Sequence, residues 1–254
     1  MALTVLLGVG CSDDKKDDLD EGKKSSSERP LTAPEGVVAV DLGLTVKWAS
    51  CNVGATKPEE YGDYYAWGDT ALYYKAGFAQ EMQQTHWKEE GYFWSTYKWC
   101  NGSDDKLTKY CSINNYGNNG FTDSKTTLDP EDDAAYYKWG GQWRMPTKGE
   151  MDDLINMCTW KWYPEDNTEF NGVAGYKVTS NVDGFEDKFI FLPAAGYRFE
   201  KNITNLGTNG YYWSRSLITD NPNKAYGIGF ISGSQSVNKT YSRCYGRTIR
   251  PVCP

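Results

Sequence analysis

The residues with the most legible chemistry lie in the last 44 positions, 211–254. With the preceding Gly210 they read GYYWSRSLITDNPNKAYGIGFISGSQSVNKTYSRCYGRTIRPVCP. Tyr, Trp and Arg alternate there with Ser, Gly and Asn. The chemistry of such a run is non-covalent. Rigid rings give contact area at little entropic cost, and amides and hydroxyls adapt to a partner. Tyr and Arg act as anchors. Tyr212, Arg215, Asn221, Asn223, Gln235, Asn238, Tyr241, Arg243 and Tyr245 are the expected contact residues.

Covalent chemistry finds little support. The single histidine, His86, has no nucleophile elbow of the GxSxG type to serve. The 34 acidic residues contain no pair that spacing singles out, so a glycan-active enzyme remains the alternative reading. There is no CxxC, and His86 stands alone, which argues against a metal site. Asp220-Asn221-Pro222-Asn223 and Asn181-Val182-Asp183-Gly184 fall short of a calcium loop and read as turns. No cofactor is expected.

The 254-residue chain suits one domain with an appendage. Its 10 Trp, 19 Tyr and 9 Phe can fill a core that aliphatic residues alone would not. The net charge of −7 argues against nucleic acid as a partner, because a phosphate backbone needs a basic face.

Residues 1–10 are apolar and small, and Cys11 follows. This resembles the end of a bacterial lipoprotein signal, truncated before its basic region, with Cys11 as the lipidation site. Ser12-Asp13-Asp14 resembles a surface-export signal. Residues 12–35 have almost no apolar content and predict a disordered tether. The expected location is the outer membrane at the cell surface. No other apolar run approaches the ~18 residues that span a bilayer, so a lipid anchor is the expected membrane attachment.

The contact residues need elements to hold them. Residues 36–53 read as one or two strands, and 70–128 as irregular chain with a short helix over 78–88. Asp129 is the expected cap of a helix that starts at Pro130 and stops at Gly140-Gly141. Thr147 and Glu150 fit a capping box, with Met151, Leu154, Ile155 and Cys158 on one apolar stripe. Residues 175–179 and 188–192 predict a hairpin. Residues 210–216, 225–231 and 248–252 predict further strands, with Tyr226, Ile228 and Phe230 on a core face. An even set of six cysteines besides Cys11 permits disulfides, with Cys100 and Cys111 close enough for a local bridge.

Several segments resemble a known family. Trp143-Arg144-Met145-Pro146-Thr147 resembles the WRLPT-type motif of the sulfatase-modifying-factor and C-type-lectin-like superfamily. Trp48-Ala49-Ser50-Cys51-Asn52-Val53-Gly54-Ala55, Leu192-Pro193-Ala194-Ala195-Gly196-Tyr197-Arg198 and Arg250-Pro251-Val252 resemble the Fibrobacter major-paralogous-domain type of Bacteroides lipoproteins. The resemblance covers residues 36–254 and implies an α+β domain with a C-type-lectin-like fold. It implies two helices, a small twisted, mainly antiparallel sheet, long loops and paired terminal strands. It would place Cys51 beside Cys253 as a disulfide. It gives Trp143 a core role and Arg144 a partner, either an acid or backbone carbonyls. Members that make formylglycine use a reactive cysteine pair, which Cys244 and Cys253 match poorly. Other members are diversified at Asn codons, and Arg215, Asn221, Asn238, Tyr241, Arg243, Cys244 and Tyr245 are residue types reachable that way. The expected function is a surface lipoprotein that binds a glycan or protein ligand. A structural component of an envelope or fimbria-like assembly is a further alternative.

Overall fold

The computed structural model describes residues 33–71 and 91–254. Cys11, residues 12–32, His86 and the expected helix over 78–88 lie outside the described residues. The side chain of Asn238 does too.

Among the described residues, eleven strands and two α-helices make a mixed α+β structure that is mostly sheet. The chain closes on itself at its two ends. Strand β1 (Ala39–Val40) pairs with β2 (Lys47–Ala49), and β2 pairs with the final strand β11 (Val252–Cys253). All of these pairs are antiparallel, with Val252 opposite Trp48. A second antiparallel sheet joins β3 (Cys158–Tyr163), β4 (Gly175–Ser180) and β5 (Phe189–Pro193). Strands β6 (Tyr197–Phe199) and β7 (Asn202–Thr204) form a small hairpin. The third three-stranded sheet has β9 (Lys224–Ile231) between β8 (Asn209–Leu217) and β10 (Ser234–Ser242).

Alternation along β8 divides the core. Tyr212 packs with Trp48, Met151, Leu154, Tyr176, Ile228 and Phe230. Its neighbour Trp213 points the other way, into a cluster with Tyr65, Trp67, Tyr110, Trp139 and Trp143. Successive side chains of a strand face opposite sides, so one strand serves both clusters.

Both helices form where capping chemistry allows, with one shift. Helix α2 (Lys148–Asn156) has the expected box: the Thr147 hydroxyl accepts from Glu150 N, and the Glu150 carboxylate accepts from Thr147 N. Arg144 donates to both Glu150 oxygens, at 2.8 and 2.5 Å. Cys158 is buried, but it opens β3 and does not extend the helical stripe. Helix α1 (Ala134–Trp139) is capped by Asp133, not by Asp129. The Pro130–Asp132 segment is a separate 3₁₀ turn, and Asp133 accepts from Ala135 N and Tyr136 N. Asp133 also accepts from Met145 N with both oxygens, tying the start of α1 to the Trp-Arg-Met-Pro-Thr segment.

The expected disulfides are absent: all six described cysteines are free thiols. Terminal strands do pair, but in a register that puts Cys253 opposite Lys47. Cys51 lies four residues further along, a displacement of ~13 Å at the rise of a strand. A disulfide needs Cα atoms within ~7 Å. The Cys51 thiol instead donates to Ala55 O at 3.3 Å. Cys100 and Cys111 also turn to separate carbonyls, those of Trp94 and Ile113.

Candidate functional site

The expected contact residues do not form one surface. Two belong to the interior. Tyr212 is 1% exposed, donates to Pro193 O at 2.7 Å and stacks on Phe230. Arg243 is 0% exposed. Its Nε donates to the Tyr97 hydroxyl, Nη1 to the carbonyls of Tyr110 and Pro222, and Nη2 to that of Lys109. These bonds staple four separate chain segments, so Arg243 and Tyr212 are structural anchors and not ligand contacts. Cys244 is buried as well, so free variation at residues 243 and 244 is incompatible with this core.

The others scatter. Arg215 donates to Leu128 O at 2.6 Å and approaches buried Asp133 to 4.0 Å, in a small cleft beside Trp143. Asn221 sits in the turn after β8, and Asn223 donates to Asp104 at 3.1 Å. Gln235 is half-buried near the start of β10. Tyr241 and Tyr245 are half-buried and belong to a different constellation.

That constellation grows from the β8–β9–β10 sheet. Tyr211 lies opposite Gly229, Trp213 opposite Gly227, and Tyr241 opposite Ala225. Directly paired residues share a face. The middle strand therefore presents Ala225, Gly227 and Gly229 as a low floor between aromatic side chains, buried at Ala225 and Gly227 and reaching a cavity at Gly229. Across that floor Tyr211 and Tyr241 meet edge to face, with ring centroids 5.4 Å apart. Tyr197 of β6 meets Tyr211 at 5.3 Å, Tyr245 stacks on Tyr197 at 5.7 Å, and Phe199 lies 4.8 Å from Tyr245. Five rings thus run in a continuous path, ending in Phe199, which is 38% exposed.

The β6–β7 hairpin reaches this path through the turn after β10. Arg198 N donates to Gly246 O and Gly246 N to Arg198 O. A Cβ on Gly246 would come within 2.5 Å of the Tyr92 ring and 3.0 Å of the Arg198 Cβ. Only glycine lets the turn approach so closely and set Tyr245 on Tyr197.

Beneath the rings lies Arg247, 2% exposed. Its guanidinium carbon is 3.5 Å from the centroid of the Tyr241 ring, 4.8 Å from Tyr211, 4.9 Å from Trp213 and 5.3 Å from Tyr197. Burial pushes its pKa down to about 10, so it stays charged at neutral pH. Nε and Nη1 are buried without a hydrogen-bond acceptor, as is the Tyr241 hydroxyl. Among the described residues no carboxylate pairs with this arginine. Arg250, 1% exposed, is its opposite: it donates to Asn52 Oδ1 and to the carbonyls of Ala49, Ser50 and Phe191.

A cavity of about 210 Å³ opens along the floor, lined by Tyr211, Gly229 and Tyr241, with Asn209 and Ser234 at its rim. The amides of Asn209 and Asn205 donate to the Tyr211 hydroxyl, at 2.9 and 3.5 Å, and fix that wall. Such a site can stack a flat apolar face and hydrogen-bond at its edges. It offers no nucleophile. Elsewhere, burial raises the thiol pKa values of Cys158 to about 11 and Cys244 to about 12, which keeps both protonated.

Tyr197, Phe199, Tyr211 and Arg247 were not among the expected contacts. One signal was available: Ala225, Gly227 and Gly229 alternate with Tyr226, Ile228 and Phe230, which leaves a row of small side chains for flanking rings to cover. The arginine carries no such signal, because Arg243, Arg247 and Arg250 look alike in sequence.

No family model, curated protein or solved structure matches this chain.

Proposed function

We propose that this chain is a non-catalytic binding protein, carried on the cell surface as a lipoprotein, that takes a glycan or protein ligand in the groove lined by Asn209, Tyr211, Gly229, Ser234 and Tyr241. The finer fold we propose is C-type-lectin-like. The closure of β2 on β11, the two capped helices and the long loops between small sheets support it.

One observation carries the functional reading. A cavity with polar groups at its rim opens beside a path of five rings that ends in exposed Phe199, and buried Arg247 braces those rings without lining the cavity. An unpaired buried charge costs several kcal/mol. Each cation–π contact returns about 0.5–2 kcal/mol. The four rings around Arg247 return a comparable sum, so this arginine braces the aromatic path beside the cavity.

Glycan and protein arrays probed with the full chain test the reading. Ser234 is exposed at the groove rim. Ser234→Trp should fill the groove without touching the core and abolish binding to whatever the arrays capture. Lys161→Ala, on the unrelated β3–β4 face, should leave binding unchanged. Array binding that survives Ser234→Trp would place the ligand elsewhere and defeat the proposal.

A further inference from the structure

The groove does not end at its rim. Resting on the binding reading above, we infer that its ligand is a neutral oligosaccharide, with a second sugar subsite beside Trp162.

Strand register places that second subsite. Asn209 of β8 lies opposite Ile231 of β9, and both line the cavity at Tyr211. Their next neighbours along the chain, Thr208 and Ser232, line another cavity of about 300 Å³, together with Trp162, Glu165 and Gly207. The two cavities therefore meet at the end of one strand pair. Their walls also touch. Phe230 lines the first and Trp162 the second, and these rings meet edge to face at 6.4 Å. The turn between β9 and β10 is held in place above them by Tyr176, whose hydroxyl donates to Ile231 O at 3.1 Å and accepts from Gly233 N at 2.8 Å.

Each cavity joins a half-buried ring to small hydrogen-bonding groups. Tyr211 stands with Asn209 and exposed Ser234, and Trp162 with exposed Thr208 and Ser232. That combination suits a pyranose, which lays its C–H face on a ring and bonds through hydroxyls at its edge. Two such cavities in succession suit linked sugars. A peptide strand finds no edge to join at the groove floor, because β9 is paired on both sides.

Charge selects the kind of sugar. No basic side chain lines either cavity, buried Arg247 included, and Glu165 lines the second. A carboxylate accepts hydrogen bonds from hydroxyls and repels the carboxylates or sulfates of an acidic saccharide. Gly207 lets this carboxylate close in: its φ is +75°, and a Cβ there would lie 2.1 Å from Glu165 Oε1.

The experiment probes the full chain on an array of neutral, uronate, sulfated and amino-sugar oligosaccharides beside proline-rich peptides, followed by calorimetry with the oligosaccharide captured most tightly. The expected result is capture of neutral oligosaccharides alone. Ser232→Trp and Ser234→Trp should each weaken that binding about tenfold or more with the thermal transition unchanged. Glu165→Gln should narrow the preference for neutral over uronate oligomers; an unchanged preference would overturn charge selection by this carboxylate. If Ser232→Trp binds like the wild type while Ser234→Trp does not, the second subsite is wrong and the groove stands. Tighter capture of uronate, sulfated or amino-sugar oligomers overturns the neutral class. Capture of peptides alone, or of no glycan, overturns the saccharide. Binding that survives both tryptophan substitutions removes the groove reading as well.

Discussion

At the scale of single residues, three arginines close together do different work. Arg243 and Arg250 each donate four hydrogen bonds to otherwise buried acceptors, whereas Arg247 is held by rings. Removing the first two strands several buried acceptors, each costing about 1–3 kcal/mol. Arg243→Met and Arg250→Met should therefore each lower stability by about 3 kcal/mol or more in urea unfolding. Arg247→Met should change stability by less than about 1 kcal/mol or raise it, because an apolar side chain removes an unpaired buried charge. Sequence distinguished none of this. The Tyr- and Arg-rich composition pointed to the segment that holds Tyr241 and Tyr245, both half-buried. It also nominated Tyr212 and Arg243, which burial removes from any surface. The failure is physical: aromatic and guanidinium groups serve a wet surface and a core equally well, and only the acceptors around them decide which.

At the scale of elements, local chemistry predicted α2 well and α1 with an offset. The Thr147–Glu150 box is a short-range pattern, and its partners lie within four residues. The cap of α1 moved from Asp129 to Asp133 because Asp133 serves a distant partner too, Met145 N. Asp133→Ala should cost about 2–4 kcal/mol, the sum of a lost cap and an orphaned backbone donor. Strand β10 was not expected, since its sequence, SQSVNKTYS, is polar and lacks strict alternation. Pairing to β9 imposes it, and it supplies one wall of the groove. The pH dependence also belongs to an element. Burial acts to raise the Glu150 pKa, but bonds from Arg144 and Thr147 outweigh it and hold it below the ordinary value. A depressed carboxylate stabilises the fold at neutral pH, and that share is lost as pH falls through the folded pKa. Glu150→Gln should thus lower the melting temperature at neutral pH and converge on the wild type below about pH 4. A constant difference across that range would contradict the assignment.

At the scale of the whole molecule, stability comes from closure and aromatic packing, with the described cysteines unbridged. The chain's two ends meet in one sheet through Trp48 and Val252. The six described thiols should react fully with a thiol reagent in denaturant, and a reductant should leave the melting temperature unchanged; a reductant-sensitive transition would show a bridge. The α+β class was legible from strand patterns and helix caps. The groove was not, because it is assembled from β6, β8, β10 and the turn at Gly246, whose registers depend on long-range pairing. Its role is tested most directly by thermal unfolding of wild type and Ser234→Trp, with and without a glycan or protein that the arrays capture. A ligand that binds only the folded state at a hundredfold excess over its Kd stabilises by about 2.7 kcal/mol. The wild type should show that rise. Ser234→Trp, exposed at the groove rim, should unfold at about the same temperature without ligand and show no rise with it. A Ser234→Trp variant that keeps the ligand-induced rise would contradict a ligand held in this groove.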